Sequence, residues 1–72
     1  MEYTVVIHAA EEGGYWSEVL SLSGCYSQGE TIEETVKNTR EAIESHIEAL
    51  KKGGQPIPVG DAVVGTFRVK IA

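Results

Sequence analysis

Residues 31–54 restrict what this chain can fold into more than any other stretch. Thr31-Ile32-Glu33-Glu34 reads as a capping box: the threonine hydroxyl accepts from the amide three residues on, and Glu34 reaches back to the cap amide. From there Ile32, Val36, Thr39, Ile43, His46, Ile47 and Leu50 recur at spacings of four and three, which makes one stripe along a helix. The other face is charged. Glu33 and Lys37, Lys37 and Glu41, Arg40 and Glu44, and Glu48 and Lys52 each stand four apart, a spacing at which opposite charges add about 0.2–0.5 kcal/mol. Gly53 supplies the stop, and Pro56 and Pro58 cannot continue a helix because proline lacks an amide hydrogen. The spacing predicts a helix from Ile32 to Lys52, about 30 Å long at roughly 1.5 Å per residue and able to cover a small sheet.

In a chain of 72 residues such a helix leaves room for a single domain over 1–72, and the remaining residues must supply the sheet. Residues 3–9 alternate, with Tyr3, Val5, Ile7 and Ala9 on one face and Thr4, Val6 and His8 on the other. Glu11-Glu12-Gly13-Gly14 has turn chemistry, so residues 15–22 return as the second strand of a hairpin. Ser23 and Gly24 mark a further turn before a short third strand around residues 25–28. Beyond the helix, residues 55–58 read as an extended connector and residues 63–71 as a last strand. That strand would carry Val63, Gly65, Phe67, Val69 and Ile71 on one face and Val64, Thr66, Arg68 and Lys70 on the other. The expected fold is α+β, in the order β-β-β-α-β, a four-stranded sheet with one long helix packed on one face.

A domain this small buries only about 60% of the surface its unfolded chain exposes, so the core should be thin and homo-oligomerisation, most simply a homodimer, is expected. No apolar run approaches the ~20 residues of a membrane helix, and Cys25 is the single cysteine, which excludes an internal disulfide. No membrane association and a reducing, cytoplasmic location are the expectation. Ten glutamates and Asp61 outnumber six lysines and arginines, for a net charge of -5. Such a balance disfavours direct DNA or RNA binding and favours a basic partner.

Catalysis and cofactors find little footing. Two-metal phosphodiester cleavage needs several converging carboxylates, whereas most glutamates here belong to the charged helix face. Cys25 lacks a neighbouring base in sequence, and His8 and His46 lack a third and fourth ligand at zinc spacing. The expectation is therefore a non-enzyme with no metal and no cofactor. Gly13, Gly14, Gly24 and Gly29 have no phosphate-loop spacing and are explained by backbone geometry. Tyr15 and Trp16 are adjacent strand residues, so one fills the core and the other faces outward as a candidate partner or oligomer interface. Val64, Arg68 and Lys70, on the mixed face of the last strand, are the remaining interface candidates.

The succession Gly14-Tyr15-Trp16, then Ser23-Gly24-Cys25-Tyr26-Ser27-Gln28-Gly29-Glu30-Thr31-Ile32-Glu33-Glu34, and finally Pro56-Ile57-Pro58 resembles the HicB antitoxin family over nearly the whole chain. The resemblance implies a partial RNase H-like fold of β-β-β-α-β type. It also implies an antitoxin that binds and neutralises a small basic mRNA-cleaving toxin of the HicA type by occluding its RNA-binding surface. The alternatives are an orphan HicB-like oligomeric adaptor without a toxin partner and, further off, a residual metal-dependent nuclease. Ser21-Leu22-Ser23 departs from the Asp-Leu-Pro that family members commonly carry before the Gly-Cys, so the local loop should differ. Many members add a C-terminal promoter-binding domain that has no counterpart here, and no direct DNA binding is expected.

Overall fold

The structure, a computed structural model, describes residues 2–59. Three strands, β1 (Val5–Ala9), β2 (Tyr15–Val19) and β3 (Tyr26–Gly29), are followed by one helix, α1 (Ile32–Lys52). The strands make an antiparallel sheet in the order β1-β2-β3. Val5 lies opposite Val19, Ile7 opposite Ser17 and Ala9 opposite Tyr15, while Ser17 lies opposite Ser27 across the second pair. The α+β class and the element order β-β-β-α agree with the sequence reading. The expected strand over 63–71, which would make the sheet four-stranded, lies outside the described residues, as do the interface candidates Val64, Arg68 and Lys70.

The helix has the predicted bounds, with two differences at its caps. Thr31 is extended, and its Oγ1 accepts from the Glu34 amide at 3.0 Å. Glu34 Oε1 accepts from the amide of Glu30 at 2.9 Å, one residue before the cap amide that the capping box assigned to it. At the other end Gly53 keeps helical dihedrals, and Gly54 takes the left-handed conformation with φ +66°. Gln55 N donates to Leu50 O at 2.9 Å and Gly54 N to Lys51 O at 3.1 Å, the two bonds of a Schellman motif. The glycine pair is thus used in its second member. Among the described residues no lysine or arginine lies within 4.0 Å of a carboxylate, so the four i,i+4 pairs on α1 stand apart in solvent, and the one His-carboxylate contact is His8 Nε2 with Glu18 Oε2 at 3.1 Å.

The strands are shorter than the alternation predicts. β1 begins at Val5, and Tyr3 packs against the core while its hydroxyl donates to Pro58 O at 2.5 Å. β2 stops at Val19 because the chain turns at once: Leu22 N donates to Val19 O at 3.2 Å and Cys25 N to Leu22 O at 3.0 Å, with Gly24 at φ +82°. This double turn folds Leu22 inward. It is 2% exposed and forms, with Val19 and Cys25, the buried apolar core against which Val5, Ala42, Ile43 and Leu50 pack. Cys25 precedes β3, which runs Tyr26–Gly29.

The predicted stripe holds at Thr39, which is buried, and at Ile43 and Leu50, which pack against the core, and it fails at the start of α1. Thr35 and Thr39 are the buried residues of the helix, whereas Ile32 and Val36 are 53% and 45% exposed. The cause lies in the sheet, which offers α1 the small residues Ser17, Ser27 and Gly29. A Cβ on Gly29 would stand 2.7 Å from Thr35 N and 2.8 Å from Thr35 Oγ1, so backbone meets backbone there and only short side chains fit. Apolar residues further round α1, Val36, Ile43 and Ile47, line a groove of about 530 Å³ with Tyr3, Val5 and Ile7 beside β1.

Close approach brings hydroxyls together where water cannot reach. Thr39 Oγ1 donates to Thr35 O at 2.5 Å, so the Ser17 hydroxyl is the donor in its 2.6 Å bond to Thr39 Oγ1. Thr39→Val keeps the shape but strands the fully buried Ser17 donor, at a cost of about 1–3 kcal/mol. Ser17→Ala leaves Thr39 its own donor bond, and the double variant Ser17→Ala/Thr39→Val should be no less stable than Thr39→Val alone. Urea unfolding of the three proteins checks this order. A double variant that loses the sum of both single losses would contradict it.

Candidate interaction surface

Strand parity divides the aromatics. Tyr15 shares its face of β2 with Ser17 and Val19 toward α1, and Trp16 points to the opposite side with Glu18. Trp16 is 36% exposed and is the outward member of the pair that the sequence left open. His8 lies directly across from it on β1, and the two rings stack with centroids 4.1 Å apart at 15°. Tyr26, reached diagonally on β3, sits 6.4 Å from the indole and is 63% exposed. Glu18 lies across from Tyr26 and places Oε2 3.1 Å from His8 Nε2. One aromatic and acidic patch therefore spans all three strands. Sequence reasoning missed His8 and Tyr26 as its members. The signal was available in register: the Gly13-Gly14 turn pairs Ala9 with Tyr15, which aligns residues 8, 16 and 28 on one side.

The patch continues into a polar groove of about 520 Å³ lined by Glu12, Trp16, Gln28, Glu30, Glu34 and Asn38. Asn38 Nδ2 donates to Gln28 O at 2.8 Å, so a helix side chain covers the outer edge of β3. Charge is unevenly spread between the layers. Residues 2–30, which build the sheet, carry Glu2, Glu11, Glu12, Glu18 and Glu30 without any lysine or arginine. The cations among the described residues, Lys37, Arg40, Lys51 and Lys52, all belong to α1.

The groups that could carry chemistry are placed for packing. Cys25 is buried, and burial pushes its thiol above the usual range, away from the nucleophilic thiolate. It shares a shallow depression with His46, and no hydrogen bond joins them. Among the described residues no group of three His, Cys, Asp or Glu side chains could hold a metal ion. No helix among them is long and apolar enough to cross a membrane.

Comparison with known proteins places this architecture. A UPF0150 protein of Synechocystis sp. is 45% identical over 69 residues, which covers 96% of this chain and 87% of the relative. A UPF0150 protein of Thermoplasma acidophilum is 45% identical over 62 residues, 86% of this chain and 90% of that one. The crystal structure of the N-terminal domain of the Burkholderia pseudomallei antitoxin HicB superposes with a TM-score of 0.77 at 36% identity, over 89% of this chain and 75% of that chain. Residues 3–68 match the family described as HicB-like antitoxin of bacterial toxin-antitoxin system. With a match over that length and relatives this close, the chain belongs to the HicB-like antitoxin family.

Proposed function

We propose that this protein is the antitoxin of a toxin-antitoxin pair, and that it acts in the cytoplasm by binding a small basic mRNA-cleaving toxin of the HicA type and occluding its RNA-binding surface. The observation that carries this reading is the fit to the HicB N-terminal domain along 89% of the chain. A surface that binds RNA phosphates is necessarily basic, and an inhibitor that covers it gains from an acidic face. This protein, with its net charge of -5, has the matching sign.

The proposal extends to the sheet. Asn38 donates to Gln28 O on the outer edge of β3, whereas among the described residues β1 is the other edge strand and borders the apolar groove lined by Val36, Ile43 and Ile47. The described chain leaves α1 and reaches Pro58 beside Tyr3, at the start of β1. A strand over 63–71 laid along β1 would turn Val63, Phe67, Val69 and Ile71 into that groove and complete a four-stranded sheet.

Co-expression with the product of the adjoining reading frame, expected on this reading to be a small basic protein, is the test. The expected result is growth arrest by the partner alone, rescue by this protein, and co-purification of the two. Arrest without rescue or co-purification would refute the antitoxin role and leave the orphan adaptor as the alternative.

A further inference from the structure

We infer that the sheet face turned away from α1 is the surface on which the basic partner docks, with Trp16 and Tyr26 as its anchors and Glu18 as the acceptor for an arginine or lysine. This inference rests on the antitoxin reading for the identity of the partner and adds to it the place of contact. Three observations carry it. The first is exposure: among the described residues, Trp16 and Tyr26 stand beside each other on this face, 36% and 63% exposed with ring centroids 6.4 Å apart. Aromatic side chains anchor protein interfaces because they remove much area from water while few rotatable bonds are frozen.

The second is order. His8 stacks on the indole and is itself held by Glu18, so Trp16 is already positioned before any partner arrives, which lowers the entropy lost on binding. The third is charge, and it selects the occupant. Among the described residues, β1, β2, β3 and the segments joining them carry five glutamates and neither lysine nor arginine, and Glu12, Glu30 and Glu34 border the groove beside Trp16, on the β3 side of the sheet and away from the β1 edge where the proposed last strand would bring Arg68 and Lys70. A second copy docking face to face would bring like charges together, whereas a basic protein meets complementary potential and is steered toward the aromatic patch.

The test uses this chain, labelled with nitrogen-15, titrated with the unlabelled product of the adjoining reading frame, the expected basic partner. Trp16 is the only tryptophan, so its single indole resonance reports on this face alone. The expected result is a shift of that resonance on saturation. Trp16→Ala should weaken binding roughly thirty-fold or more, the scale of an interface hot spot. Gln28→Lys, which sets a cation on an exposed position of the same face, should weaken it about ten-fold and more so at low salt. Circular dichroism confirms that each variant keeps its helix, and Glu41→Lys on the solvent face of α1 serves as the control that leaves affinity unchanged.

An unmoved indole resonance at saturation, or folded Trp16→Ala and Gln28→Lys proteins that bind within three-fold of wild type, would overturn the proposal while leaving the antitoxin reading intact. Loss of a homodimer in Trp16→Ala with partner affinity preserved would assign the face to a second copy and overturn it equally. Absence of any binding by the wild type refutes the antitoxin reading and the docking surface together.

Discussion

Gly29→Ala is expected to destabilise the fold by about 2–3 kcal/mol, the upper part of the range for overpacking a close contact. The added methyl would stand 2.7 Å from Thr35 N, 2.8 Å from Thr35 Oγ1 and 3.0 Å from the carbonyl carbon of Glu34. Two of those three atoms are backbone in the first turn of a helix fixed by its Thr31 cap, so no side-chain rotation relieves the clash. Either α1 lifts from β3 or the strand end bends. Gly29 does not have a positive φ, which makes the penalty steric and separates it from the usual glycine effect. Gly24→Ala is the contrasting variant: φ is +82°, nothing lies within 4 Å of the new Cβ, and about 1 kcal/mol of left-handed strain is all that it meets. A domain of this size has roughly 4–11 kcal/mol of stability, so Gly29→Ala should lower Tm by about 10 °C or more and Gly24→Ala by about half as much. Equal melting temperatures for the two variants would contradict the close helix-sheet approach.

That approach is also where sequence reading lost its hold on the fold. The existence, order and type of β1, β2, β3 and α1 were legible because capping, alternation and turn glycines are local signals. Both helix bounds followed from Thr31 and Gly53 for the same reason, although it is Gly54 that takes the left-handed conformation. The buried face of α1 is a tertiary property. An apolar stripe drawn through Ile32 and Val36 assumes that the most hydrophobic face wins, but Ser17, Ser27 and Gly29 leave space only for threonines beneath the first half of the helix. The proposed interaction surface was half legible. Parity required one of Tyr15 and Trp16 to face outward without saying which, and the joining of Trp16 to His8 and Tyr26 depends on a register that two hydrogen-bonded strand pairs set. The concentration of acid in residues 2–30 was present in the sequence throughout, and it acquires meaning once those residues are seen to form one layer.

Leu22→Ala should cost about 2–5 kcal/mol, the range for emptying a buried leucine site, and leave a protein that is marginally folded at 37 °C. Leucine at 20 and at 22 would share one face of a continued strand and lose similar amounts on truncation. In the turn that the chain makes after Val19 they part company: Leu20 is 48% exposed, and Leu22 is 2% exposed in the core beside Val19 and Cys25. Leu20→Ala should therefore change stability by under about 1 kcal/mol. Cys25 offers a second readout that does not depend on melting. Its thiol is buried and shifted toward the protonated form, so it reacts slowly with a disulfide reagent such as DTNB in the wild type and in Leu20→Ala. Removal of the Leu22 side chain opens the same cluster, and more frequent opening accelerates the reaction of Cys25, the logarithm of the rate rising with the stability lost. Equal stability losses and equal labelling rates for the two alanine variants would restore the longer strand; a large loss with fast labelling in Leu22→Ala alone places Leu22 as the plug that a core this thin needs.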